Sequence, residues 1–80
     1  MMKIELNLFA SLARYVSREA GRFTGEIEVG EGVTILQLLR SLDLPMEKVK
    51  LIFLNGVHAR GDEVLQEGDR VGVFPPVAGG

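Results

Sequence analysis

Hydrophobic and polar residues alternate over residues 3–9, with Ile4, Leu6 and Leu8 on one side and Lys3, Glu5 and Asn7 on the other. That period of two is the signature of a half-buried strand. From Ala10 the period becomes helical: Leu12, Ala13, Val16 and Ala20 share one face, and Gly21 offers a stop. Arg14 and Arg18, like charges four residues apart, work against this helix. Residues 23–29 alternate again, with Phe23, Gly25, Ile27 and Val29 against Thr24, Glu26 and Glu28, until Gly30-Glu31-Gly32 breaks the pattern. Thr34 opens the clearest helix of the chain. Thr34 and Gln37 have the spacing of a capping box, Ile35, Leu38, Leu39 and Leu42 draw one apolar stripe, and Pro45, preceded by Leu44, ends it. Residues 49–54 form a strand with almost no polar face, and Asn55-Gly56 then gives the strongest short hairpin signal. Residues 57–60 return as a brief strand. Residues 61–69 are polar and turn-rich, with Val64 and Leu65 expected to pin them to the core, and 70–74 make the last strand.

The order β-α-β-α-β-β-β predicts an α+β domain, a mixed sheet of about five strands with one long helix on one face and a second helix after the first strand. The first and last strands both have an apolar inner face, which places them side by side and parallel at the centre. The chain end then points outward from one end of the sheet. Within 51–54, counting back from the hairpin sets Ile52 and Leu54 inward and Leu51 and Phe53 outward. Phe74, out of phase with Val71 and Val73, points outward too. Two readings of those outward residues stay open: a docking patch, or a surface covered by the second helix.

Eighty residues make one small domain, read as a folded body over 1–74 and an extended tail over 75–80. A chain of this length hides only about 60% of its unfolded surface, but 46% hydrophobic residues suffice for a core of Leu, Val and Ile. The net charge of −2 with scattered basic residues predicts no nucleic-acid partner. The acidic residue at position 5 and the absence of a long apolar run predict neither a signal peptide nor a membrane partner, hence a cytoplasmic protein. With no cysteine there is no disulfide, thiolate nucleophile or zinc ribbon. His58 has no second His or Cys with which to share a metal, and Asp62, Glu63, Glu67 and Asp69 lack calcium-loop spacing. No Gly-Lys-Ser/Thr motif is present, so no nucleotide cradle is expected. No cofactor is expected on this chain, and it is not an enzyme by itself.

What remains is the end, Phe74-Pro75-Pro76-Val77-Ala78-Gly79-Gly80. Pro75 and Pro76 favour an extended exit, and two residues without Cβ make the last peptide units thin enough for a narrow channel. At about 3.3 Å per residue, six residues reach roughly 20 Å. A Gly-Gly pair alone is often only a frayed end; here it follows a strand and a rigid spacer directly. A terminal carboxylate with a pKa near 3.5 is an anion and a poor electrophile, so chemistry at Gly80 calls for activation by a partner that uses ATP. The activated acyl group can then pass to sulfur, giving a thiocarboxylate, or to an amine, giving an isopeptide.

This tail, with Gly68-Asp69-Arg70-Val71 ahead of it, Leu8-Phe9-Ala10-Ser11-Leu12 near the start and Leu54-Asn55-Gly56 at the hairpin, resembles the MoaD-type small subunit of molybdopterin synthase along the whole chain. The resemblance implies a β-grasp, ubiquitin-like fold and a sulfur carrier of molybdenum cofactor biosynthesis. Its implied partners are an adenylating, ubiquitin-activating-like enzyme, a sulfurtransferase system, and the large synthase subunit that holds the active site. Carried onto this sequence, Gly80 would bear the sulfur and Gly79 would give clearance. Ala78 and Val77 would follow it into the channel, Pro76 and Pro75 would stiffen the exit, and Phe74, Phe53 and Leu51 would dock. Thiamine-pathway carriers and archaeal-type ubiquitin-like modifiers share the fold and the Gly-Gly end, and a non-catalytic interaction module is the remaining alternative.

Overall fold

The alternation over the first residues is realised as a nine-residue strand, β1, Met2–Ala10, which buries Ile4, Leu6 and Leu8. The computed structural model describes residues 1–16 and 21–76. β2 (Gly21–Val29) lies antiparallel to β1, with Ile4 opposite Ile27 and Ala10 opposite Gly21. β3 (Leu51–Leu54) and β4 (Val57–Ala59) form the hairpin, and β5 (Arg70–Phe74) runs parallel to β1 and antiparallel to β3. The strand order is β2-β1-β5-β3-β4. The first and last strands are thus adjacent and parallel inside a mixed five-stranded sheet, the β-grasp arrangement the sequence predicts.

One helix, α1 (Ile35–Ser41), packs on one face and buries Ile35, Leu38 and Leu39. Its capping box is present on both sides. Gln37 N donates to Thr34 Oγ1 at 3.2 Å, and Thr34 N donates to Gln37 Oε1 at 2.9 Å. The core joins these side chains to Ile4, Leu6 and Leu8 of β1, Val71 and Val73 of β5, and Ile52, Leu44 and Leu65. At Asn55-Gly56 both residues take positive φ, 54° and 83°, as the tight hairpin turn requires.

Three expectations need correction. The helix on the sheet is short, not long. It ends at Ser41, and Asp43 turns left-handed (φ 59°) before Pro45 is reached. A 3₁₀ turn over Met46–Lys48 follows, so β3 begins at Leu51 and not at Val49.

The second helix is a five-residue 3₁₀ turn, Ser11–Tyr15; the parts of that expectation at Arg18 and Ala20 lie outside the described residues. Gly21, read as a helix stop, instead starts β2 opposite Ala10. The reason is closure. Paired strand residues lie about 5 Å apart, whereas a straight helix over the intervening residues 11–20 would carry the chain roughly 15 Å away. Leu12 and Ala13 of the turn are buried with the helix-side core. Among the described residues the turn thus packs on the helix side of the sheet and not on the opposite face.

The third correction concerns residues 61–69. Leu65 is buried as expected, but Val64 is 47% exposed. The loop ties down the helix start: Ile35 N donates to Glu63 O at 3.1 Å and Leu36 N to Gly61 O at 2.9 Å, while Thr34 bridges Val64. Backbone amides of a first helical turn have no partner within the helix, and this loop supplies them. Gly61 (φ +114°) must be glycine, since a Cβ there would stand 2.6 Å from Leu36 Cγ.

Candidate functional site

The face of the sheet opposite α1 is a lattice set by strand register. In one row Thr24 of β2 lies beside Asn7 of β1, then Gly72 of β5, Phe53 of β3 and His58 of β4. The next row toward the chain end holds Phe9 and Phe74, with Leu51 opposite Phe74. In the other direction come Glu26, Glu5 and Arg70, then Glu28 and Lys3. The face is therefore graded. It is aromatic where β5 runs out and charged at the far end.

Phe9 and Phe74 stack with ring centroids 4.2 Å apart and planes 3° from parallel. Phe53 meets Phe74 edge-on at 5.6 Å, and His58 meets Phe53 edge-on at 5.8 Å. Such arrangements set the positive edge of one ring against the negative face of another and fix the rings as a unit. Gly72 provides the floor: a Cβ there would lie 3.8–3.9 Å from atoms of Phe74, Phe9 and Phe53. The result is a shallow hollow of about 420 Å³ whose walls include Phe9, Phe53, Phe74, Asn7 and Arg70. Its polar side is ordered as well. Thr24 Oγ1 donates to Asn7 Oδ1 at 2.8 Å, and Asn7 Nδ2 donates to Glu5 Oε2 at 2.9 Å.

Of the site residues read from sequence, Leu51, Phe53 and Phe74 lie together on this face. Leu51 is 39% exposed, and Phe53 and Phe74 are half-buried against each other. Pro75 is half-buried and Pro76 exposed, directly after β5. Val77, Ala78, Gly79 and Gly80 lie outside the described residues. Sequence reading missed Phe9, which stacks on Phe74. The signal was there, since Phe9 continues the outward series Lys3, Glu5, Asn7. It also missed Gly72 and Arg70, whose place on the face comes only from pairing with β1 and β3.

The acidic run has loop-ordering roles. Glu63 accepts from Arg60 N (2.9 Å) and Gly61 N (2.7 Å), Glu67 from Lys3 N (3.1 Å), and Asp69 from Asn55 Nδ2 (3.0 Å) and Gln66 N (2.8 Å). The amides of Arg60 and Gly61 hold the Glu63 carboxyl below its ordinary value of 4.5. Among the described residues no three His, Asp or Glu side chains gather as a metal site, and no helix is long and apolar enough to cross a membrane. The chemistry this face offers is recognition: aromatic area with a polar rim beside the exit of the chain.

The SAMP1 structure from Haloferax volcanii superposes with a TM-score of 0.71 at 26% identity, covering 98% of this chain and 99% of that one. A Pyrococcus furiosus chain assigned as molybdopterin converting factor, subunit 1, gives 0.66 at 28%, covering 96% and 100%. The Haloferax volcanii HVO 2177 protein gives 0.68 at 28%, covering 99% and 87%. No curated protein sequence matches significantly. The ThiS family model matches residues 7–80, nearly the whole chain, and the protein belongs to the ThiS family, the ubiquitin-like sulfur carriers of ThiS/MoaD type.

Proposed function

We propose that this chain is the sulfur-donating small subunit of a molybdopterin synthase, with Gly80 as its reacting residue. The observation that supports this reading best is the Phe9–Phe74–Phe53 cluster at the end of the sheet where β5 runs into Pro75-Pro76. A partner seated on those rings stands next to the root of the tail and can receive it. The likeness to a chain assigned as a molybdopterin converting factor subunit adds to it.

In this scheme the Gly80 carboxylate attacks the α-phosphorus of ATP on the activating enzyme, and pyrophosphate leaves. Hydrosulfide-level sulfur delivered by the sulfurtransferase system then attacks the acyl carbon, and the C–S bond of the thiocarboxylate forms as AMP departs. On the large subunit the thiocarboxylate sulfur attacks an electrophilic carbon of the molybdopterin precursor, and the new C–S bond forms as the C–O bond to an oxygen leaving group on that carbon breaks and the group departs. Water cleaves the acyl–sulfur bond, leaving sulfur on the precursor and oxygen on Gly80. This chain contributes the docking face, the stiff exit and the acyl carbon.

A second reading, protein modification through an isopeptide, is favoured by the likeness to SAMP1, described as a small archaeal modifier protein. Intact-mass measurement of the protein from its native host separates the two. A sulfur-for-oxygen increase of about 16 Da at the terminus is expected for the carrier; Gly-Gly remnants on other proteins' lysines without that increase would replace it with the modifier. In a reconstituted synthase, deletion of Gly80 is expected to abolish sulfur transfer while the melting temperature stays unchanged. Retained transfer by the truncated chain would refute the scheme.

A further inference from the structure

The side chain that turns the β3–β4 hairpin is also bound to the start of β5. Asn55 Nδ2 donates to Asp69 Oδ1 at 3.0 Å, and Asn55 Oδ1 accepts from Arg70 N at 2.9 Å. Asn55 N adds a bond to Arg70 O at 2.8 Å. Asp69 is held in turn, since its other oxygen accepts from Gln66 N at 2.8 Å. The residue after Asn55 is open. Gly56 is exposed, a Cβ built on it would meet nothing within 4 Å, and among the described residues its amide has no hydrogen-bond acceptor. An asparagine amide is a weak acyl electrophile, and the nitrogen of the next peptide unit can close a five-membered ring on it. A side chain on that next residue hinders the approach, and glycine has none. Of the two asparagines, Asn7 precedes Leu8 within β1, and only Asn55 precedes glycine.

We propose that Asn55 is a site of spontaneous covalent modification, kept in check by Asp69, whose conversion unclasps the hairpin from β5. The Gly56 amide nitrogen loses its proton to solvent base and attacks Asn55 Cγ. The new N–C bond forms as the Cγ–Nδ2 bond breaks, and Nδ2 takes up a proton and leaves as ammonia. Water then opens the cyclic imide at either carbonyl, giving aspartate or isoaspartate. Because Nδ2 is the departing atom, its bond to Asp69 is lost in the reaction, and that bond is the check. Aspartate at this position keeps an oxygen for Arg70 N but has no donor for Asp69. It sets a second carboxylate where Nδ2 now stands 3.0 Å from Asp69 Oδ1, and like charges that close repel. Isoaspartate adds a carbon to the main chain of the turn, against the Leu54–Val57 pair that sets the β3–β4 register. Neither the tail nor the sulfur chemistry enters this inference.

The test ages the full chain in mildly alkaline buffer beside a capped peptide of residues 51–60, with peptide mapping by mass spectrometry. Asn55 is expected to gain the small mass of amide-to-acid conversion while Asn7 stays intact. The rate should rise with pH, because the attacking nitrogen must lose its proton, and should be lower in the folded chain than in the peptide. Asp69→Ala should speed conversion about 2- to 10-fold, the rate factor that one hydrogen bond represents, with the β1 amide spectrum unchanged to show the fold intact. Asp69→Asn, which keeps an acceptor for Nδ2, should convert near the parent rate. Asn55→Asp, which makes the product directly, should melt about 4–8 °C below the parent chain, and adding Asp69→Asn should recover part of that loss. Any of four results overturns the inference: Asn55 intact in the folded chain once the peptide has fully converted, an unchanged rate in Asp69→Ala, equal acceleration in Asp69→Ala and Asp69→Asn, or an Asn55→Asp chain that melts with the parent.

Discussion

Single residues in the loop before β5 carry more of the stability than their exposure suggests. Gly61 sits at φ +114° with Leu36 where a Cβ would go. Gly61→Ala is therefore expected to cost about 1–3 kcal/mol, the usual penalty of a forbidden backbone region, with displacement of Leu36 added. Chemical denaturation reads this directly, and a loss under about 0.5 kcal/mol would contradict the geometry. Glu63 gives a pH-dependent counterpart. Hydrogen bonds from Arg60 N and Gly61 N favour its ionised form and lower its pKa in the folded state. A depressed folded-state pKa means stabilisation present above the unfolded value near 4.5 and lost as pH falls through the folded value. Glu63→Gln should melt below the parent protein at pH 7, and the gap should close as the pH is lowered below 4.5 and through the depressed folded-state value. A gap that persists unchanged at acid pH would show that the carboxylate's charge is not what holds the loop.

Among the elements, the ones specified by neighbours in sequence were the legible ones. The Thr34–Gln37 box, the Asn55-Gly56 turn and the in-out phase of Ile52 against Phe53 each rest on residues within four positions of one another. The parallel pairing of β1 with β5 was also readable, because two strands with one apolar face each had to meet at the buried centre. What stayed hidden depended on closure. The helix expected after β1 has the right apolar spacing, but β2 must begin opposite Ala10, and a short 3₁₀ turn fits that demand. The loop that completes the α1 cap comes from residues 61–63, far along the chain, and no local pattern announces it. The candidate site divides the same way. Phe53 and Phe74 follow from strand phase, whereas Gly72 beneath the rings and Arg70 beside Glu5 emerge only from register. Because α1 has only seven residues, its cap matters in proportion. Thr34→Ala is expected to cost about 1 kcal/mol, and to raise amide exchange at Gln37 first; uniform exchange across α1 with no loss of stability would mean the loop alone fixes the helix start.

At the scale of the whole molecule, the proposed function separates holding a partner from reacting with it. The two tasks fall on different parts of the chain. The rings of Phe9, Phe53 and Phe74 lie on strands backed by a buried core on the other side of the sheet, so the proposed docking surface is already ordered without a partner. Aromatic side chains at the centre of an interface commonly account for most of its free energy, whereas a tethered extended segment gains mainly from the high local concentration that docking creates. Loss of the face and loss of the tail should therefore have different kinetic signatures. Phe53→Lys puts a charge into the aromatic hollow without touching the core; it is expected to raise the Kd for the large subunit about 10- to 100-fold, with transfer restored once the partner is saturating. Deletion of Gly80 should leave that Kd within a few-fold and abolish transfer at every partner concentration. Titration calorimetry and single-turnover sulfur transfer on both variants measure the two losses separately. If Phe53→Lys binds as tightly as the parent chain, recognition resides in the tail, and the ordered aromatic face serves some other partner.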